Sequence, residues 1–142
     1  MSTDETAVGG ELPAREVSVP LRQLVRYAGA SGDFYPLHYD LDFARSLGYD
    51  ERPVQGLLKM ALLDRLVRDW LPAGARLRAL EVSYRGLDLR DEPMTLGGTV
   101  TAVDERSVTL ELWVDSAAGA RTTTGSAEID VAPDLDGGSP AG

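Results

Sequence analysis

The spacing of apolar residues changes character once along the chain, near residue 75. Before that point they recur mostly at three- and four-residue steps, and after it they alternate with polar ones. Leu58, Leu62, Leu63, Leu66, Val67 and Trp70 mark the longest helical stretch, predicted over Gln55 to Leu71 and ended by Pro72-Ala73-Gly74. Lys59, Arg65 and Arg68 read as its polar side. Its first turn is more apolar than a surface helix needs, which predicts a helix wrapped by sheet. Upstream, Arg15 to Val19 alternates as a short strand. Pro20 then opens a helix with Leu21, Leu24, Val25 and Ala28 on one face, closed by Gly29 to Gly32. Asp40 is placed to cap a short helix through Leu41, Phe43, Ala44 and Leu47, stopped by Gly48. Tyr49 to Pro53 is polar and predicted to cross the surface.

From Arg76 onward the period is two. Leu80, Val82 and Tyr84 alternate with Glu81, Ser83 and Arg85, and Leu96 to Val103 forms a second run. Gly97-Gly98 within that run suggests a bulge or a close backbone approach. Val108, Leu110, Leu112 and Val114 form a third strand, and Arg121 to Val131 a fourth. The expectation is an α+β fold: a single domain over residues 14–132, with an antiparallel sheet around one long helix. Residues 1–13 and 133–142 are polar or rich in Gly and Pro, and read as a loose N-terminal tail and a disordered C-terminal one.

Composition narrows the function classes. At 142 residues the chain can bury a real core. Its 23 acids outnumber 14 scattered bases, which argues against a nucleic-acid partner. Cysteine is absent, so disulfides, thiolate metal sites and a Cys nucleophile are excluded. One histidine excludes a multi-His metal site within the chain. Met1 to Glu5 is acidic, without the apolar core of a signal peptide, and no apolar run approaches a membrane span. The expectation is a cytoplasmic protein without a membrane partner.

The one histidine, His38, follows Asp33 by five residues, with Pro36 between them. One reading is an ordinary Gly-Asp turn beside a surface histidine. The other uses Pro36, which disfavours the helical conformation at Tyr35 and leaves both side chains on a turned loop. There a carboxylate and an imidazole can share and polarise a water. Gly56 has two readings as well. It permits close packing at the start of the long helix, or the approach of a substrate carbonyl to backbone N–H groups, where the helix dipole favours negative charge. Arg85 is either a solvated strand charge or a partner for a phosphate of a bulky, cofactor-like substrate.

The stretch Ser31-Gly32-Asp33-Phe34-Tyr35-Pro36-Leu37-His38-Tyr39-Asp40 resembles the hydratase motif of the MaoC-like, (R)-specific enoyl-CoA hydratases, which are hotdog-fold proteins. Gln55-Gly56 stands where that family usually has His-Gly, and Tyr35 where the motif has Asn. Tyr84-Arg85-Gly86-Leu87 and Glu92 to Gly98 also look like the acyl-dehydratase branch. The resemblance spans roughly residues 15–131. It implies a hotdog domain with Asp33 and His38 as the catalytic pair and the Gly56 N–H as the thioester-oxygen donor. Gln55, Tyr35, Ser31 and Arg85 are then expected around the substrate. The implied reaction is reversible hydration of a trans-2-enoyl group on CoA or an acyl carrier protein, with no metal or redox cofactor. A homodimer is expected, or a heterodimer with another hotdog chain. A non-catalytic, tunnel-shaping subunit is the rival reading. A hotdog thioesterase fits less well, because Asp64 and Asp69 fall late in the long helix.

Overall fold

In the computed structural model, residues 6–131 are described. Five strands form one antiparallel sheet: β1 (Arg15–Val17), β2 (Arg76–Tyr84), β3 (Met94–Val103), β4 (Ser107–Asp115) and β5 (Arg121–Asp130). Their order in the sheet is β1-β3-β4-β5-β2. Three α-helices precede β2: α1 (Leu21–Ser31), α2 (Leu41–Ser46) and α3 (Gly56–Trp70). This is the expected hotdog arrangement, and it follows from the two periods. Val108, Leu110, Leu112 and Val114 all fall on the buried face of β4, at 3% exposure or less. Against that face pack Leu58, Leu63, Leu66, Val67 and Trp70 of α3, in one core with Met94, Leu96 and Val100 of β3 and Ala127 and Ile129 of β5.

That packing holds α3, because its ends contribute little. Gln55 at the N-cap makes no side-chain cap bond, and no acid lies in the first turn. Burying each Leu or Val contributes roughly 1.5–3 kcal/mol, which outweighs a missing cap worth about 1 kcal/mol. Among the described residues, none offers the first-turn N–H groups a side-chain acceptor.

Several expectations change. The N-terminal segment is not loose throughout. Gly9 and Leu12 donate to Val100 O (2.9 Å) and Gly98 O (3.0 Å), and Leu12 is 3% exposed. Leu12 is apolar enough to extend the core beside β3, a signal hidden by the surrounding Gly and Glu. The remainder of that tail, 1–5, and the C-terminal tail lie outside the described residues. Val25, assigned to the buried face of α1, is 52% exposed, while Leu24 and Ala28 are buried. Gly97 marks a close approach, not a bulge. A Cβ there would stand 2.6 Å from Trp113 Nε1, and the register shift in β3 falls between Val100 and Ala102.

Candidate active site

The loop carrying His38 begins where α1 ends. Gly32 takes a left-handed conformation (φ 75°) that turns the chain out of the helix. Ser31 Oγ donates to Tyr27 O (2.7 Å) and accepts from Asp33 N (3.2 Å). Asp33 Oδ1 in turn accepts from Tyr35 N (3.2 Å), an Asx turn. Pro36 then starts a single 3-10 turn, Pro36–His38, and Asp40 caps α2 by accepting from Phe43 N at 3.1 Å. Tyr35 meets Phe43 and His38 edge-on, with ring centroids 5.6 and 6.1 Å apart.

His38 is fixed by a longer-range bond. Its Nδ1 lies 2.9 Å from Pro53 O. A carbonyl only accepts, so Nδ1 carries a proton, and in the neutral ring Nε2 is the nitrogen with the lone pair. Pro53 is itself located by the segment after β2. Val54 N donates to Asp88 O (2.8 Å), and Arg90 N to Arg52 O (3.0 Å).

His38, Leu37, Pro53 and Val54 form one side of an apolar pocket of about 220 Å³, with Gly56 and Lys59 of α3 and the Tyr84 ring also in its wall. The Tyr84 ring stands 3.0 Å from where a Gly56 Cβ would go, so close packing already favours glycine there. Among the described residues, none accepts a hydrogen bond from the Gly56 N–H. Burial, with Tyr27 adding to it, raises the Tyr84 phenol above its ordinary pKa and keeps it neutral.

Of the expected site residues, His38 and Gly56 are thus brought together in one pocket wall. Asp33, Ser31, Tyr35 and Arg85 lie outside it. Asp33, Ser31 and Tyr35 belong to the adjoining loop. The Arg85 side chain is exposed while its N–H donates to Thr122 O (2.7 Å). Gln55, expected at the substrate, is turned inward. It is 1% exposed and donates from Nε2 to Leu24 O (2.8 Å), tying α3 to α1. Asp64 and Asp69 pair with Arg68 and Arg15, away from the pocket.

Lys59 is a second correction. Read as part of the polar side of α3, it is 2% exposed. Its Nζ donates to Asp88 Oδ2 (3.0 Å) and Gly86 O (3.2 Å), and Thr122 Oγ1 donates to the same carboxylate oxygen at 2.5 Å. The signal was present in the sequence. Lys59 with Leu62, Leu63 and Leu66 follows i, i+3, i+4, i+7, the apolar face itself. Asp88 carried no such signal, since its neighbour Leu87 is 47% exposed.

The family model described as the MaoC like domain matches residues 4–115. The beta subunit of the 3-oxo-4,17-pregnadiene-20-carboxyl-CoA hydratase of Mycobacterium tuberculosis is 28% identical over 107 residues, covering 75% of this chain and 83% of that one. Among solved structures, the (R)-hydratase of A. caviae involved in PHA biosynthesis aligns with a TM-score of 0.83 at 26% identity, over 89% of this chain and 97% of that chain. A chain of the ChsH1-ChsH2 complex of Mycobacterium tuberculosis gives 0.82, also at 26%, over 89% and 99%. A motif that resembled a hydratase, a helix wrapped by the expected sheet and a family match over most of the chain converge: this protein belongs to the MaoC-like hydratase and dehydratase family.

Proposed function

We propose that the chain is a hydro-lyase that adds water reversibly to a trans-2-enoyl thioester, carried on CoA or an acyl carrier protein, to give the 3-hydroxyacyl thioester. The observation that carries this reading is the pairing of an oriented base with an uncapped helix start in one pocket. His38 holds Nε2 free because Nδ1 is committed to Pro53 O. Gly56 begins α3 in the same wall.

In this mechanism His38 Nε2 takes a proton from water, while the Asp33 carboxylate at the loop holds that water in line. The oxygen attacks the β-carbon, and the electron pair of the double bond shifts through the α-carbon to the thioester oxygen. The Gly56 N–H receives that enolate oxygen at the positive end of α3. Collapse of the enolate, with return of the proton to the α-carbon, completes the addition. Dehydration runs the same steps backward. The scheme needs no metal or redox cofactor.

A pocket of about 220 Å³ is smaller than most ligand sites, so it suits the reacting end of the substrate only. The remaining acyl group then lies along the exposed apolar side chains of its wall, Tyr84 and Leu87. A substrate screen therefore includes polycyclic acyl groups of the kind named for the Mycobacterium tuberculosis relative. That relative is a beta subunit, and β2 ends the sheet here with one edge unpaired among the described residues. Both favour assembly with a second hotdog chain, like or unlike; a subunit that only shapes a partner's tunnel is the competing reading.

His38→Ala and Asp33→Asn are each expected to lower enoyl-thioester hydration by about 10²–10⁴-fold or more while melting normally. Folded variants with near-native rates overturn the reading. Activity that appears only on mixing with a second hotdog chain, and survives both substitutions, assigns the tunnel-shaping role instead.

A further inference from the structure

Lys59 has no part in the hydration scheme above, yet it occupies the pocket wall. It lies one helical turn past Gly56, on the same face of α3. A buried ammonium is costly to desolvate, and an apolar residue of its size would serve packing as well or better. Its counter-ion is placed asymmetrically. Asp88, 2% exposed, is absent from the pocket wall, whereas Lys59 is in it. Of the pair, Lys59 is thus the member nearer the pocket, with its Nζ held just behind the wall by Asp88 Oδ2 and Gly86 O. One aromatic ring locates the charge relative to Gly56. Tyr84 stands over the Gly56 Cα, and Lys59 Nζ is 5.8 Å from the centroid of that ring.

We propose that Lys59 holds a fixed positive charge against the thioester carbonyl and polarises it together with the Gly56 N–H. The proposal rests on the hydro-lyase reading for where the carbonyl sits. In a pocket this apolar, a fixed charge acts far more strongly than in water. Negative charge on the thioester oxygen develops mainly in the transition state, so the effect falls on kcat more than on KM. Asp88, Thr122 and Gly86 O keep the ammonium from turning away, so the charge is in place before substrate arrives.

Lys59→Met alone strands the Asp88 carboxylate, so the informative variant is Lys59→Met with Asp88→Leu. Thr122 Oγ1 then retains Val114 O, 3.3 Å away, as its acceptor. This variant is expected to fold and to lower kcat for enoyl-CoA hydration by about 10²-fold, with KM changed only a few-fold. A second readout is independent of turnover. Bound butyryl-CoA, which cannot be hydrated, is expected to show its thioester C=O stretch lowered in frequency by the native protein and much less by the double variant. Should the apolar pair not fold, Lys59→Gln with Asp88→Asn removes both charges while keeping polar side chains of similar length. A folded charge-free variant with native kcat and an unchanged carbonyl shift overturns the proposal, as does native protein that binds butyryl-CoA without shifting it. Native protein that shifts the carbonyl but hydrates no enoyl thioester overturns the hydro-lyase reading and leaves Lys59 assigned.

Discussion

Two arms meet at the pocket, and different kinds of bond hold them. The arm from Ser31 to Asp40 is held along its length by bonds spanning two to five residues: Ser31 to Tyr27, Tyr35 to Asp33, Tyr39 to Phe34, Phe43 to Asp40. None of it is fully buried, and half of its residues are exposed. The arm from Pro53 to Lys59 is buried except at Gly56 and Leu57, and its side chains reach partners 27 to 31 residues away: Gly86, Asp88 and Leu24. One bond joins the two, from His38 Nδ1 to Pro53 O. The first arm is shaped by its own sequence and the second by the fold. His38 therefore belongs to a locally folded loop, but its tautomer is set by a carbonyl whose position depends on the sheet.

The largest loss of stability is expected in the buried arm. Lys59→Met leaves Asp88 buried without its cation, and Asp88 Oδ1 already lacks a partner within the chain. A destabilisation of about 3–5 kcal/mol is expected, and adding Asp88→Leu should recover most of it. Paired urea melts of the single and double variants measure both. Equal stability of single and double would mean that water reaches the pair and the arm is not truly buried.

The same division explains what could be read from the chain. The Asx turn at Asp33, the glycine at the end of α1, Pro36 and the Asp40 cap are all neighbours in sequence, so turn chemistry exposed the first arm. The alternation in β2 through β5 and the stripe of α3 exposed the sheet and its helix. The Lys59–Asp88–Thr122 cluster was not recovered, since its members lie 29 and 34 residues apart and meet only once β2 and β5 pair. Gln55 was misplaced for a related reason. Its motif position pointed at a substrate, while its amide was claimed by a carbonyl of α1. Leu12 was lost among polar neighbours, although β3 had an open edge to receive it.

A milder test of the buried arm is Gln55→Ala. It removes the bond to Leu24 O and leaves a void between α1 and α3, at an expected cost of about 1–3 kcal/mol. Loss of the unpartnered Gln55 Oε1 offsets part of this, which keeps the effect below that of Lys59→Met. Thermal melting at matched pH reads the difference. A larger loss than for Lys59→Met would reverse the ranking of the two buried groups.

In the exposed arm, Asp40→Ala removes the acceptor for Phe43 N at the start of α2. The expected loss is about 1 kcal/mol. Asp40→Asn, which keeps a cap oxygen, should lose less, and comparing their melts isolates the cap. An Asp40→Ala loss as large as that of Lys59→Met would show that the surface arm is welded to the core.

The smallest stability effect is expected at Tyr35, and it separates positioning from packing. Its ring is 47% exposed and meets His38 and Phe43 only edge-on, contacts worth about 0.5–1.5 kcal/mol when fully formed. Tyr35→Asn, which installs the amide of the motif the chain resembles, should therefore cost under about 1 kcal/mol. Its consequence for function should lie in substrate shape. The ring stands beside the pocket and not in its wall, so the reacting carbons of a short enoyl thioester do not meet it. A bulky acyl group leaving the pocket across the exposed side chains would. The expected result is a kcat on crotonyl-CoA within a few-fold of native, together with a shifted KM for a polycyclic enoyl-CoA. Measuring both substrates on one preparation decides the matter. A large fall in kcat on crotonyl-CoA would mean that Tyr35 holds His38 in place, and that the surface arm is less self-supporting than its short-range bonds indicate.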